Sequence, residues 1–151
     1  MEKKQFIAIC DSRLKLVRVE HGLSQEHMAL ILGLSKKTLV DIEKERRSLG
    51  WSGSVTLCFL FQDSEVLAGT FGGNPTDMVM ALAFDASRRP SYPKTLGSRV
   101  WWTTIEENED YVIQQNNISQ HYRLLTHDNR RIASSFQIDD LMPIFNNSGR
   151  K

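Results

Sequence analysis

Apolar residues in the first part of the chain recur at helical spacing, with short polar breaks between the segments. Phe6, Cys10, Leu14 and Val17 lie at i, i+4, i+8 and i+11, which places them on one face of a helix over residues 4–20. We therefore expect this face to form the core against the helices that follow.

The segment 24–43 contains the start and stop signals of two short helices joined by a tight turn. Ser24 and Ser35 are N-cap candidates, because a serine hydroxyl can accept a hydrogen bond from an otherwise unpaired N–H of the first helical turn. Gly33 ends the first helix where a left-handed residue is needed. The small Ala29 lets the two helices cross closely. The segment thus predicts a helix-turn-helix, whose second helix is suited to a DNA major groove.

Within the two helices the apolar positions are expected to face inward and the polar ones outward. The inward positions are Met28, Ala29, Ile31 and Leu32 in the first helix, and Leu39 and Ile42 in the second. The outward positions of the second helix are Lys36, Lys37, Thr38, Val40 and Asp41.

This pattern resembles the helix-turn-helix domain of the lambda-repressor/Cro class, also called the xenobiotic-response-element class. The matching positions are Arg18, Gly22, Gln25, Ala29, Gly33, Leu34, Ser35, Thr38, Leu39, Ile42 and Glu43. The resemblance covers roughly the first sixty residues, about the size of a small domain. It implies an all-helical domain, an ion pair between Arg18 and Glu43, and a phosphate contact from Gln25.

The resemblance also implies that the loop after the second helix runs along the sugar-phosphate backbone. Lys44, Arg46 and Arg47 are its basic residues, and the planar guanidinium suits phosphate oxygens. Many members of the class have a proline after this loop, whereas this chain has Gly50-Trp51-Ser52. Trp51 is expected to cover the helices, and a further helix is expected over 52–61 with Val55, Cys58, Phe59 and Leu60 packed on the first three.

The outward residues of the second helix offer the chemistry of base recognition. Lys36 and Lys37 can donate to guanine O6 and N7, and Thr38 and Val40 can approach a thymine methyl group or a phosphate. Asp41 can accept from cytosine N4 or, by repelling the backbone, restrict the register. Together with Gln25, Ser35 and the basic loop, these residues form the predicted DNA-binding set.

The remainder of the chain changes in composition. Residues 69–77 contain three glycines and a proline, which predicts an exposed loop, and a short apolar helix is expected over 78–85. From residue 100, short runs rich in aromatic and β-branched residues alternate with turn clusters, best seen at His127-Asp128-Asn129. A closing helix is expected from Asp139. The sequence therefore predicts an α+β chain with a helical domain at 1–67, a linker at 68–99 and a small antiparallel sheet with one helix at 100–151.

Composition limits the function classes. The formal net charge of the 151 residues is +1, so bulk basicity is no argument for nucleic acid, although residues 1–51 carry ten basic and seven acidic side chains. Cys10 and Cys58 lie among apolar residues and are expected to be reduced, buried thiols. The histidines lack metal-ligand spacing. No apolar run suggests a membrane span, so a cytoplasmic protein is expected.

The sequence as a whole indicates a non-enzymatic transcriptional regulator without cofactor or metal. It is expected to bind double-stranded DNA as a homodimer, to act as a repressor, and to read a palindromic operator in the major groove. A self-cleaving repressor is disfavoured, because only Lys94 and Lys151 follow Glu45 as lysines. Two alternatives remain: an antitoxin-like factor, or a protein-interaction module that keeps the fold without binding DNA. In each reading the C-terminal region is the candidate surface for dimerisation, a protein partner or a small effector.

Overall fold

The chain has a mixed architecture of helices followed by a sheet. The computed structural model describes residues 1–84, residue 88 and residues 101–147. The chain divides into two compact units, Met1–Ser91 and Tyr92–Lys151. Helices make up the described part of the first unit, and an antiparallel sheet with short helical turns makes up that of the second. The α+β class predicted from the sequence is confirmed.

Six helices occupy the described part of the first unit. They are α1 (Lys3–Glu20), α2 (Gln25–Leu32), α3 (Lys36–Glu43), α4 (Gly50–Leu60), α5 (Glu65–Phe71) and α6 (Pro75–Ala83). The Ser24 hydroxyl accepts the His27 N–H at 3.1 Å, and the Ser35 hydroxyl accepts the Thr38 N–H at 3.0 Å. Gly33 ends α2 with a φ of 70°. The two predicted caps and the predicted stop are therefore confirmed, and they delimit the helix-turn-helix by local chemistry.

The core of the first unit lies between α1 and the later helices. Phe6, Cys10, Leu14 and Val17 are fully buried, so the predicted α1 face is confirmed. Trp51 is half-buried, and its ring centroid lies 5.8 Å from that of Phe6. Trp51 thus covers the edge of the core, as the sequence suggested.

Two of the predicted buried faces are wrong in part. On α2, Met28, Ala29 and Leu32 are buried, but Ile31 is 42% exposed. On α4 the buried positions are Ser54, Leu57, Cys58 and Phe61. These four follow a single helical stripe, which turns the predicted core residues Phe59 and Leu60 towards solvent, at 63% and 46% exposure.

The predicted loop over 69–77 is also wrong over most of its length. Helix α5 continues to Phe71, whose ring centroid lies 5.3 Å from that of Phe6, and Pro75 already begins α6. Packing on α1 stabilises this helical end despite its glycine, a case of tertiary contact overriding propensity. Residues 68–84, expected in a linker, therefore pack in the first unit beyond the expected boundary at 67. Residues 85–99, apart from 88, lie outside the described residues.

The second unit is a four-stranded antiparallel meander. Its elements are β1 (Trp102–Glu107), β2 (Tyr111–Asn116), β3 (Tyr122–Thr126), β4 (Arg131–Ser135), a 3-10 turn (Ile138–Asp140) and helix α7 (Met142–Asn146). Ile113 and Leu124 are paired across β2 and β3 and form a small core with Leu141 and Phe145. The predicted sheet and closing helix are confirmed, except that α7 begins after the 3-10 turn rather than at Asp139.

Candidate nucleic-acid interface

The exposed end of α3 is held rigidly by its own cap. Ser35 Oγ accepts the Thr38 N–H at 3.0 Å, and the two hydroxyl oxygens lie 2.8 Å apart. On the inner side of α3, Leu39 is fully buried and Ile42 is 1% exposed. Lys36 and Lys37 are exposed in the first helical turn. The structure therefore presents two exposed ammonium groups from a capped helix end.

The remaining predicted contact residues of α3 are less accessible than the sequence suggested. Thr38, Val40 and Asp41 are each half-buried, although all three were expected to face outward. A helix of eight residues, about two turns, exposes only a narrow surface once its inner side is anchored at Leu39 and Ile42. The most accessible chemistry of α3 is thus that of the two lysines.

A part-buried carboxylate joins the first three helices. Arg18 on α1 donates from Nε to Glu43 Oε1 at 2.6 Å and from a terminal nitrogen to Oε2 at 3.2 Å. Gln25 on α2 donates from Nε2 to Glu43 Oε2 at 2.9 Å. The ion pair implied by the family resemblance is present in this geometry. Because Glu43 ends α3, the network fixes the angle at which α3 is presented.

The electrostatics of Glu43 follow from these contacts. Burial by itself raises the pKa of a carboxyl group, but hydrogen bonds from Arg18 and Gln25 and the charge of Arg18 lower it more. The net effect holds the pKa of Glu43 below its ordinary value. Glu43 is therefore ionised at neutral pH, as the bidentate contact requires.

Gln25 has a structural role that the sequence did not suggest. It was expected to contact a phosphate, but its side-chain amide already donates to Glu43. A phosphate contact from this side chain would compete with that hydrogen bond. The N-terminal end of α2 still offers a favourable dipole for an anion beside Gln25.

The loop after α3 places Arg47 beside that helix. Arg47 donates from a terminal nitrogen to Thr38 Oγ1 at 3.2 Å, so this guanidinium lies against the first turn of α3. Lys44 and Arg46 are exposed, and Glu45 adopts φ 59°, a left-handed conformation that turns the chain back on itself. Arg47 thus joins the loop to the start of α3, and we use the name basic surface for the exposed basic residues of these two neighbouring segments: Lys36, Lys37, Lys44, Arg46 and Arg47.

A long-range contact holds this loop to α1. Asp11 Oδ1 accepts the Leu49 N–H at 2.8 Å across 38 positions of sequence. An open groove of about 440 Å³ lies between α1 and the loop, lined by Ala8, Asp11, Ser12, Glu45, Arg46, Arg47 and Ser48. No sequence signal identified Asp11, because nothing local relates a mid-helix aspartate to a distant backbone amide.

Comparison with known proteins yields no relative. No protein-family model, no curated protein and no solved structure matches the chain. Among the residues that the structure describes, no helix is both long and apolar enough to span a lipid bilayer.

Proposed function

We propose that this protein is a sequence-specific regulator that binds double-stranded DNA through the α2–turn–α3 unit, as a member of the lambda-repressor/Cro helix-turn-helix class. The observation that supports it most directly is the basic surface at the exposed start of α3. Lys36 and Lys37 project from the helix end, and the Arg47–Thr38 hydrogen bond brings the arginine loop alongside. In this arrangement the helix reads base edges and the loop neutralises phosphates.

The Arg18–Glu43–Gln25 network supports the same proposal through rigidity. A recognition helix must be presented at a fixed angle, because a small rotation moves its side chains away from their base partners. Here one carboxylate at the end of α3 receives hydrogen bonds from both α1 and α2. The scaffold thus positions the basic surface before DNA binds.

Binding as a homodimer would follow from the short reading surface. One α3 helix reads only a few base pairs, and a two-fold pair reads half-sites about 34 Å apart. The expected role is repression at a palindromic operator in the cytoplasm, without enzymatic activity or a cofactor.

The test begins with selection of bound sequences from a pool of random duplexes, followed by gel-shift titrations on the selected site. Lys36→Ala and Lys37→Ala should each lower the affinity for that site and relax base preference, because a good lysine or arginine contact to guanine discriminates by about 1–3 kcal/mol. Arg46→Ala should weaken binding to all duplexes and reduce the salt slope by about 0.9.

Lys4→Ala is the matched control, since Lys4 is an exposed lysine of α1 whose loss changes the net charge equally. It should leave the site preference unchanged. If Lys4→Ala and the α3 variants reduce binding equally, charge alone accounts for the affinity and the recognition role of α3 is wrong. If no duplex is enriched, DNA reading itself is wrong.

A protein-interaction role is the second candidate, and exposed apolar side chains favour it. Leu30 on α2 is 78% exposed and Phe59 on α4 is 63% exposed, and these two helices are in contact. Large apolar side chains exposed on neighbouring elements are typical of protein interaction sites. An antitoxin-like factor would use such a surface for a protein partner. Sedimentation of the purified chain with and without the selected duplex distinguishes self-association on DNA from this role.

A further inference from the structure

One face of the sheet is built differently from the face that packs on α7. Side chains alternate along a strand, so Gln114 and Arg123 point away from the core that contains their neighbours Ile113 and Leu124. Gln114 and Arg123 are register partners, and the same row continues to Thr104 on β1 and Ser134 on β4. A polar row therefore crosses all four strands on the face opposite α7.

A second row, rich in aromatic rings, runs beside the first. Trp102 and His121 meet edge to face with centroids 4.9 Å apart, and the ring of Phe136 lies 5.9 Å from that of His121. Phe136 is 75% exposed. A shallow cavity of about 290 Å³ opens here, lined by His121, Ser134, Ser135 and Phe136. The ring of Phe136 thus offers an open stacking surface beside hydroxyl groups.

Arg123 lies flat between the two rows. Its guanidinium carbon is 3.8 Å from the centroid of Trp102, and its Nε and one terminal nitrogen donate to Gln114 Oε1 at 3.0 and 2.7 Å. Gln114 in turn donates to Thr104 Oγ1 at 3.3 Å. These contacts hold the half-buried guanidinium of Arg123 against Trp102 and Gln114, and a guanidinium is a group on which a planar base can stack.

Two arginines of this face, Arg123 and Arg131, lie close enough to repel each other, and the one acid that the strand register places on the same face, Glu107, lies 3.6 Å from His127. Burial lowers the pKa of Arg123, and repulsion from the nearby charge of Arg131 lowers it further. Within the described ranges, neither group is in an ion pair with a carboxylate. Asp140, the acid nearest the cavity, is hydrogen-bonded to Ser135. An anion would relieve the repulsion between the arginines.

We propose that this face, defined by Trp102, Gln114, His121, Arg123, Arg131, Ser134 and Phe136, binds single-stranded nucleic acid. Bases would stack on the exposed ring of Phe136 and on the guanidinium of Arg123, and phosphates would pair with the arginines. Duplex DNA does not fit this role, because its bases are stacked inside the helix and present no free ring face. The rows cross three strand spacings, about 14 Å, which exceeds one nucleotide and favours a chain over a free nucleotide.

The site is tested by fluorescence anisotropy of the full chain with a labelled oligothymidylate of roughly twelve nucleotides. Phe136→Ala should weaken binding about 5- to 150-fold, the effect of removing one stacked base. Phe136→Trp should retain binding. Ile118→Ala is the matched control, because Ile118 is also an exposed apolar residue, at 70%, and lies outside both rows. It should leave the affinity unchanged.

Arg131→Gln should reduce the slope of log affinity against log salt by about 0.7, the value for one lost phosphate contact on a single strand. The proposal is overturned if the wild-type chain does not bind the oligonucleotide, or if Phe136→Ala and Ile118→Ala behave alike. It is also overturned if thymidine monophosphate competes as well as the oligonucleotide at equal nucleotide concentration. Affinity of Phe136→Ala for a selected duplex should be unchanged, so this test and that of the α3 surface can fail independently.

Discussion

The ion pair between Arg18 and Glu43 offers the most direct test of how the recognition helix is held. Arg18→Met removes the charge and the hydrogen bonds but keeps the aliphatic stem packed. The substitution removes two donors to Glu43 and one to the Leu23 carbonyl, at 3.0 Å. Glu43 is left with Gln25 as its remaining side-chain donor among these contacts.

The expected loss lies between those of exposed and buried ion pairs. The side chains of Arg18 and Glu43 are 14% and 5% exposed. Exposed pairs contribute at most about 1 kcal/mol, whereas removing one partner of a fully buried pair costs about 3–5 kcal/mol. For this part-buried, bidentate pair we expect the free energy of unfolding to fall by about 2–3 kcal/mol at neutral pH.

The pH dependence has a definite sign. Because the pKa of Glu43 is lowered in the folded state, its stabilisation is present above its ordinary value of 4.5 and is lost as the pH falls through the folded-state pKa. The deficit of Arg18→Met relative to wild type should therefore be largest at neutral pH. It should shrink under acidic conditions, where a protonated Glu43 no longer needs a positive partner.

Urea unfolding followed by helical circular dichroism measures this loss, because the long helices lie in the first unit. Arg13→Met is the control, since Arg13 lies on the same helix and is also half-buried, and it should change stability by less than about 0.5 kcal/mol. A double-mutant cycle with Glu43→Gln should give a coupling above about 1 kcal/mol. Equal losses in Arg18→Met and Arg13→Met, or a deficit that does not vary with pH, would refute the reasoning.

Two further predictions concern the backbone and the thiols of the first unit. Gly33→Ala should lower the free energy of unfolding by about 1 kcal/mol through its left-handed φ of 70° alone, because an added Cβ would meet no atom within 4 Å. Thermal unfolding measures this loss. A loss above about 3 kcal/mol would indicate a steric clash instead. Cys10 and Cys58 are fully buried with their sulfurs 4.0 Å apart, and the hydrogen bond with Cys58 together with burial raises the pKa of Cys10. A thiol reagent should therefore modify neither cysteine until urea unfolds the chain. Rapid modification of the native protein would contradict that burial.

The boundaries of the helix-turn-helix could be predicted because they depend on local chemistry. A serine cap needs only the N–H groups a few residues onward, and Gly33 needs only its own φ. The α1 stripe and the four strands likewise follow from periodicity within one element. For the same reason, Lys36 and Lys37 could be chosen as exposed residues of the recognition helix without the structure.

Tertiary structure decided what depends on distant partners. Helix α5 extends to Phe71 because Phe6 lies against it, and Gln25 donates to Glu43 because packing brings the start of α2 next to the end of α3. Only the pairing of the strands places Arg123 on Trp102. The sequence by itself thus determined the elements and their caps. Which side chains meet was determined by packing between elements, because contacts across long sequence separations leave no periodic pattern to detect.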